Sequence, residues 1–144
     1  MMIKNERQYR ITRSQMGKFE QALADMEHEG LPESVHPLLH TAQVDAMRSQ
    51  WDSLRQELAE YEALRDGGTR AFPAGSFDEL PRTLIKARIA AGLSQRELAE
   101  RLGLKEQQVQ KYEATEYTSA SLARVRAVIR ALGVTVREEV SPTR

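Results

Sequence analysis

The 144-residue sequence contains no cysteine, which excludes disulfides and any metal site built on thiolates. It has no apolar run approaching the roughly 18 residues that a membrane-spanning helix needs. The opening residues, Met1-Met2-Ile3-Lys4-Asn5-Glu6-Arg7, lack the apolar core of a secretory signal, so a cytoplasmic protein is expected. No Ser/His/Asp arrangement and no glycine-rich phosphate loop is present, so catalysis is not expected and no cofactor is called for. There is also no internal repeat and no low-complexity tract.

Net charge is absent too: 21 basic residues balance 21 acidic ones. The balance hides a segregation, however. Residues 81–130 carry ten Lys/Arg against five Asp/Glu, whereas residues 1–66 carry eight against twelve. A basic module beside an acidic one suits a polyanion-binding unit joined to a protein-contacting unit. Hydrophobic residues at 40% and charged residues at 29% fit a folded, largely helical chain rather than a disordered one. The length accommodates one ordinary domain, or a small domain with an appendage. The three histidines make no ligand set, because Pro37 separates His36 from His40 and no third ligand stands nearby.

Three segments are expected in an all-α fold: a helical hairpin over 1–66, a linker over 67–80 and a compact helical domain over 81–144. In the first, Thr12 and Gln15 form the pattern of a capping box for a helix carrying Met16, Phe19, Leu23 and Met26 at spacings of three and four. The run Gly30-Leu31-Pro32-Glu33-Ser34-Val35-His36 breaks that helix, and Pro37 opens the next. Val44, Met47, Trp51, Leu54, Leu58 and Tyr61 then make a heptad-like seam. The seam could be the core of an antiparallel hairpin or could pair with another chain. Because two helices alone bury little, part of it is expected to meet a partner, through Trp51, Leu54, Leu58 and Tyr61. Gly67-Gly68-Thr69-Arg70-Ala71-Phe72-Pro73-Ala74-Gly75 reads as the linker.

Beyond it, helices are expected near 82–91, 95–102, 106–114 and 119–132, with Val134, Val136 and Val140 as a possible short strand. Ser94 and Glu97 form a capping box that starts the second of these helices. Gly103 supplies the positive φ of a sharp turn, Val109 returns to the core, and Glu106, Gln107, Gln110 and Lys111 fall on the outer side. This is the pattern of a helix-turn-helix whose second helix enters the DNA major groove.

The stretch Leu84-Ile85-Lys86-Ala87-Arg88, the turn Gly92-Leu93-Ser94-Gln95, Leu98-Ala99 and the closing Ala131-Leu132-Gly133-Val134 resemble the phage-repressor-like (Cro, XRE) helix-turn-helix family. Two positions depart from it. Lys105 stands where the family usually has a capping Ser or Thr, and Thr115 stands where the helix usually ends in Gly. On the family pattern, Glu106, Gln107 and Lys111 face base edges, with Gln108 and Gln110 beside them. The resemblance places Gln95 on phosphate, and Lys86, Arg88, Arg96, Arg101 and Lys105 are candidates for further phosphate contacts.

The resemblance implies a sequence-specific transcription regulator, a repressor acting as a homodimer on a palindromic double-stranded operator. An acidic helical appendage on such a module is similar to antitoxins of the HigA type, which implies a toxin protein as a second partner. The chain ends about a dozen residues after its last predicted helix, so the self-cleaving protease domain of some relatives is not expected. The competing class is a protein-interaction adaptor that uses the helix-turn-helix as a scaffold.

Overall fold

In the computed structural model, which describes residues 1–68 and 71–143, all regular structure is helical. The linker positions Thr69 and Arg70 lie outside the described residues. Two compact units divide the chain, Met1–Glu62 and Ala63–Arg144.

The first unit is an antiparallel hairpin of α1 (Glu6–Glu29) and α2 (Pro37–Arg65, whose last turn belongs to the second unit). α1 starts six residues before the expected Thr12 cap. Asn5 is its N-cap: the Asn5 side chain accepts from the Gln8 N–H at 2.8 Å, and the Gln8 side chain accepts from the Lys4 N–H at 2.9 Å. Thr12 instead lies inside the helix and is buried. Pro37 opens α2 as expected, and His36 Nδ1 accepts the N–H of Leu38 at 3.1 Å, satisfying one of the free donors there.

Cross-helix pairs fix the hairpin's register. Tyr9 donates to Glu62 at 2.6 Å and Tyr61 to Glu6 at 3.0 Å, with the two rings 5.3 Å apart. Further along, Trp51 Nε1 donates to Glu20 at 3.0 Å. These contacts correct part of the partner surface expected from sequence. Leu58 and Tyr61 are buried within the protomer and cannot reach another chain, whereas Trp51 and Leu54 remain half-exposed.

The second unit holds a 3₁₀ turn (Phe77–Glu79), α3 (Leu80–Ala90), α4 (Gln95–Leu102), α5 (Glu106–Ala114) and α6 (Leu122–Leu132). Pro81 sits in the first turn of α3, where its missing N–H costs nothing. Ser94 caps α4, accepting from the Glu97 N–H at 3.0 Å, and Ser121 caps α6 in the same way. The serine cap moves the start of α6 three residues past the expected Ser119. Leu84, Ile85, Leu98, Ala99, Val109 and Val128 close the core between these helices. The possible C-terminal strand is absent among the described residues. Residues 134–143 are irregular, and alternating valines make no ladder where no neighbouring strand offers its backbone.

Candidate nucleic-acid interface

The turn between α4 and α5 sets the angle of the candidate reading helix. Gly103 takes φ 69° and ψ 30°, and the chain closes through the Leu104 N–H donating to the Ala99 carbonyl at 2.8 Å. A side chain at 103 would be strained by this backbone. α5 begins immediately afterwards at Glu106. Lys105 is its N-cap residue in an extended conformation, but an ammonium cannot accept a hydrogen bond. Gln108 compensates from the other direction, its side-chain oxygen accepting the Lys105 N–H at 3.0 Å.

Helical spacing then divides α5 into two faces. Val109 and Glu113, four residues apart, are buried; Glu106, Gln107, Gln108, Gln110 and Lys111 are all exposed. Gln107 and Lys111 sit one turn apart on the open face. Glu106 and Gln110 are at the edge of contact, 3.5 Å apart, and Gln108 is held by its capping bond. The arrangement presents amides, an ammonium and a carboxylate together, the groups that pair with adenine, guanine and cytosine edges respectively.

Behind this face lies a polar cluster. Arg88, from α3, donates Nε to Glu113 Oε2 at 2.6 Å and Nη2 to Oε1 at 2.8 Å. Its Nη1 donates to the Leu93 carbonyl at 2.7 Å, and Gln95 donates to Glu113 Oε1 at 2.9 Å. Arg88 and Glu113 are 3% and 0% exposed, so solvent screens the pair hardly at all. Tyr117 packs nearby: burial first, and the charge of Glu113 second, push its hydroxyl well above the ordinary tyrosine range, with Arg88 opposing.

The phosphate contacts expected from sequence fall into separate groups in the structure. Arg88 and Gln95 are a correction, because their side chains are spent inside the domain on Glu113. Arg101 is exposed, yet its guanidinium donates to the Ala131 carbonyl at the end of α6 at 2.9 Å. Lys86 is half-buried on α3. Arg96 is exposed and only loosely paired with Glu100 at 3.4 Å, and Lys105 is exposed beside the N-terminus of α5.

The segment leaving α5 turns without the glycine usual in the family. Thr115 has φ −98°, so no glycine is needed there; the positive φ falls instead on Glu116 (50°) and Tyr117 (59°). Glu116 pairs with Arg82 at 2.9 Å. The Tyr117 ring stacks on Tyr112 at 5.9 Å, and the Arg124 guanidinium lies 6.0 Å from the Tyr112 ring centre. Stacking thus ties the turn after α5 to α6. Among the described residues no cluster of three metal-ligating side chains occurs, and no helix is long and apolar enough to cross a membrane.

Residues 84–138 match the helix-turn-helix family model. Neither the curated proteins nor the solved structures gave a match to the chain.

Proposed function

We propose that this protein represses transcription by binding a palindromic operator as a homodimer, a reading supported by the match of residues 84–138 to the helix-turn-helix family model. The observation that carries the reading is α5 itself. Its outer face is exposed along its length, while Val109 and the Arg88–Glu113 pair anchor its inner face to the rest of the domain. A helix fixed in this way can enter the major groove without losing further order.

Gln107 and Lys111 are the central base readers, Glu106, Gln108 and Gln110 modulate them, and Lys105 and Arg96 hold phosphates. One such helix spans only a few base pairs, so two copies on half-sites about 34 Å apart, or a multiple of that, supply the specificity. Selection of the purified protein against random duplex DNA at near-physiological salt tests this. A palindrome that is lost in a Gln107→Ala, Lys111→Ala variant supports the repressor. No enrichment from the folded protein supports an adaptor that uses the same fold as a scaffold.

A second role rests on the tip of the hairpin. Leu31, Leu38 and Leu39 are 47%, 75% and 54% exposed there, among Glu27, Glu29 and Glu33. Exposed leucines close in sequence to exposed carboxylates suit a basic protein with apolar contacts. The tip lies within the region from Arg7 to Leu64 that would contact a toxin on the HigA-type reading. A small basic protein encoded beside this gene, and captured by the wild type but not by Leu38→Asp, would support that role.

A further inference from the structure

We infer that the hairpin binds a second copy of this chain across one face, with α1 running antiparallel to α1 of the other copy. The dimer required by the operator reading supplies only the number of copies; the surface follows from the hairpin's own residues.

That face carries a groove of about 560 Å³, lined by Phe19 and Ala22 of α1 and by Met47 and Leu54 of α2. All four are half-exposed, although they occupy the apolar positions of the hairpin. Lys18 is the one charged residue in the lining; the rest of it is apolar, glutamine or serine. At the buried end of the hairpin the two helices satisfy one another through Tyr9, Leu58 and Tyr61, and the groove lies where that packing opens.

Charge along α1 says what covers it. Residues 6–18 contain Arg7, Arg10, Arg13 and Lys18 against one acid, Glu6. Residues 19–29 contain Glu20, Asp25, Glu27 and Glu29 and no Lys or Arg. A helix that is basic in its first half and acidic in its second is complementary to itself when a two-fold axis sets it antiparallel.

The stripe of α1 that passes through Lys18 and Ala22 of the groove repeats the pattern. Arg7, Ile11, Lys18, Ala22, Asp25 and Glu29 follow one another at steps of four, seven, four, three and four, which keeps them on a single stripe. Ile11, 48% exposed, and Ala22 supply its apolar part. Antiparallel pairing with the two-fold axis at the level of Glu20 brings Lys18 of each copy within side-chain reach of Asp25 of the other, and Arg7 within reach of Glu29. It also closes the two grooves upon each other as a four-helix bundle.

Sedimentation equilibrium of the full chain, without DNA, tests the surface. The wild type is expected to dimerise, and Arg7→Glu with Lys18→Glu to weaken the dimer about tenfold or more through like-charge contact. Adding Asp25→Lys and Glu29→Lys inverts both halves and is expected to restore it. Circular dichroism of each variant must match the wild type, so that loss of the dimer is not loss of the hairpin. A monomeric wild type, an unaffected double variant, or a folded fourfold variant that stays monomeric would each overturn the inference. The Gln107→Ala, Lys111→Ala protein is expected to sediment as the wild type does. A monomer that still selects a palindrome would remove this surface and leave the DNA-binding reading standing.

Discussion

Arg88 and Glu113 meet through two hydrogen bonds of 2.6 and 2.8 Å while almost wholly closed to solvent. The two residues belong to α3 and α5, so the pair spans from the frame of the domain to the candidate reading helix. Its remaining valences are also used, by the Leu93 carbonyl on Arg88 and by Gln95 on Glu113. No buried side-chain nitrogen or oxygen among the described residues lacks a partner. A buried ion pair adds little net stability over an apolar pair of equal volume, but its geometry is exacting. Here that geometry fixes the rotation of α5 and so decides which of its side chains face outward.

Removing one partner strands the other charge in the core. Arg88→Ala and Glu113→Ala are each expected to destabilise the domain by about 3–5 kcal/mol. The double change Arg88→Met, Glu113→Leu removes both charges and is expected to cost much less than the sum. Urea unfolding followed by circular dichroism across this cycle measures the coupling, and strict additivity would contradict it.

Within three positions of the candidate reading helix, one side chain is expected to serve the fold and another recognition. Val109 is 1% exposed, so Val109→Asp is expected to unfold the domain by burying an unpaired carboxylate. Gln107 is exposed, so Gln107→Ala is expected to keep the fold. It should weaken binding to the preferred site by about 1–3 kcal/mol and relax preference at one base pair. Equal affinity for every sequence, at wild-type strength, would show that another element reads the DNA.

Much of this domain was legible because its signals are local. Ser94 and Glu97 mark the start of α4, Gly103 its end, and α5 runs over the expected 106–114. What escaped needed two distant residues at once. Arg88 follows Leu84 by one turn and Glu113 follows Val109 by one turn, so each charge sits on an apolar stripe. Taken singly, Arg88 looks like a phosphate ligand and Glu113 like a surface acid; taken together, opposite charges on two core stripes announce a buried pair. In the hairpin, Asn5 and Gln8 share the cap geometry that the Thr12 pattern mimics, and only the placement of Tyr9 against Tyr61 shows that the helix is already formed before Thr12. Leu58 and Tyr61 belong to the same heptad pattern as Trp51 and Leu54, and periodicity cannot say which part of a seam is already covered.

The division among the cations is measurable by salt. Arg96→Ala and Lys105→Ala are each expected to lower the slope of log affinity against log salt by about one, equally for all sequences. Arg101 holds the carbonyl of Ala131, so Arg101→Ala is expected to loosen α6 and lower thermal stability while changing that slope little. An unchanged slope in both of the first two variants would move the phosphate contacts elsewhere.

Tyr117 makes the domain sensitive to alkali. Its proton is held in the folded state because burial, and then the carboxylate of Glu113, disfavour the phenolate. In the unfolded chain it leaves near pH 10. Below that pH both states keep the proton and stability does not depend on it. Above it the unfolded state binds fewer protons than the folded one, so stability falls as pH rises toward the folded value, by about 1.4 kcal/mol per pH unit at most from this group. Tyr117→Phe retains the ring that stacks on Tyr112 and removes the ionisation. The unfolding free energy of wild type and variant, measured between pH 8 and pH 11, is therefore expected to diverge only above about pH 10, with the wild type falling more steeply. Parallel curves would mean that some other group holds the proton.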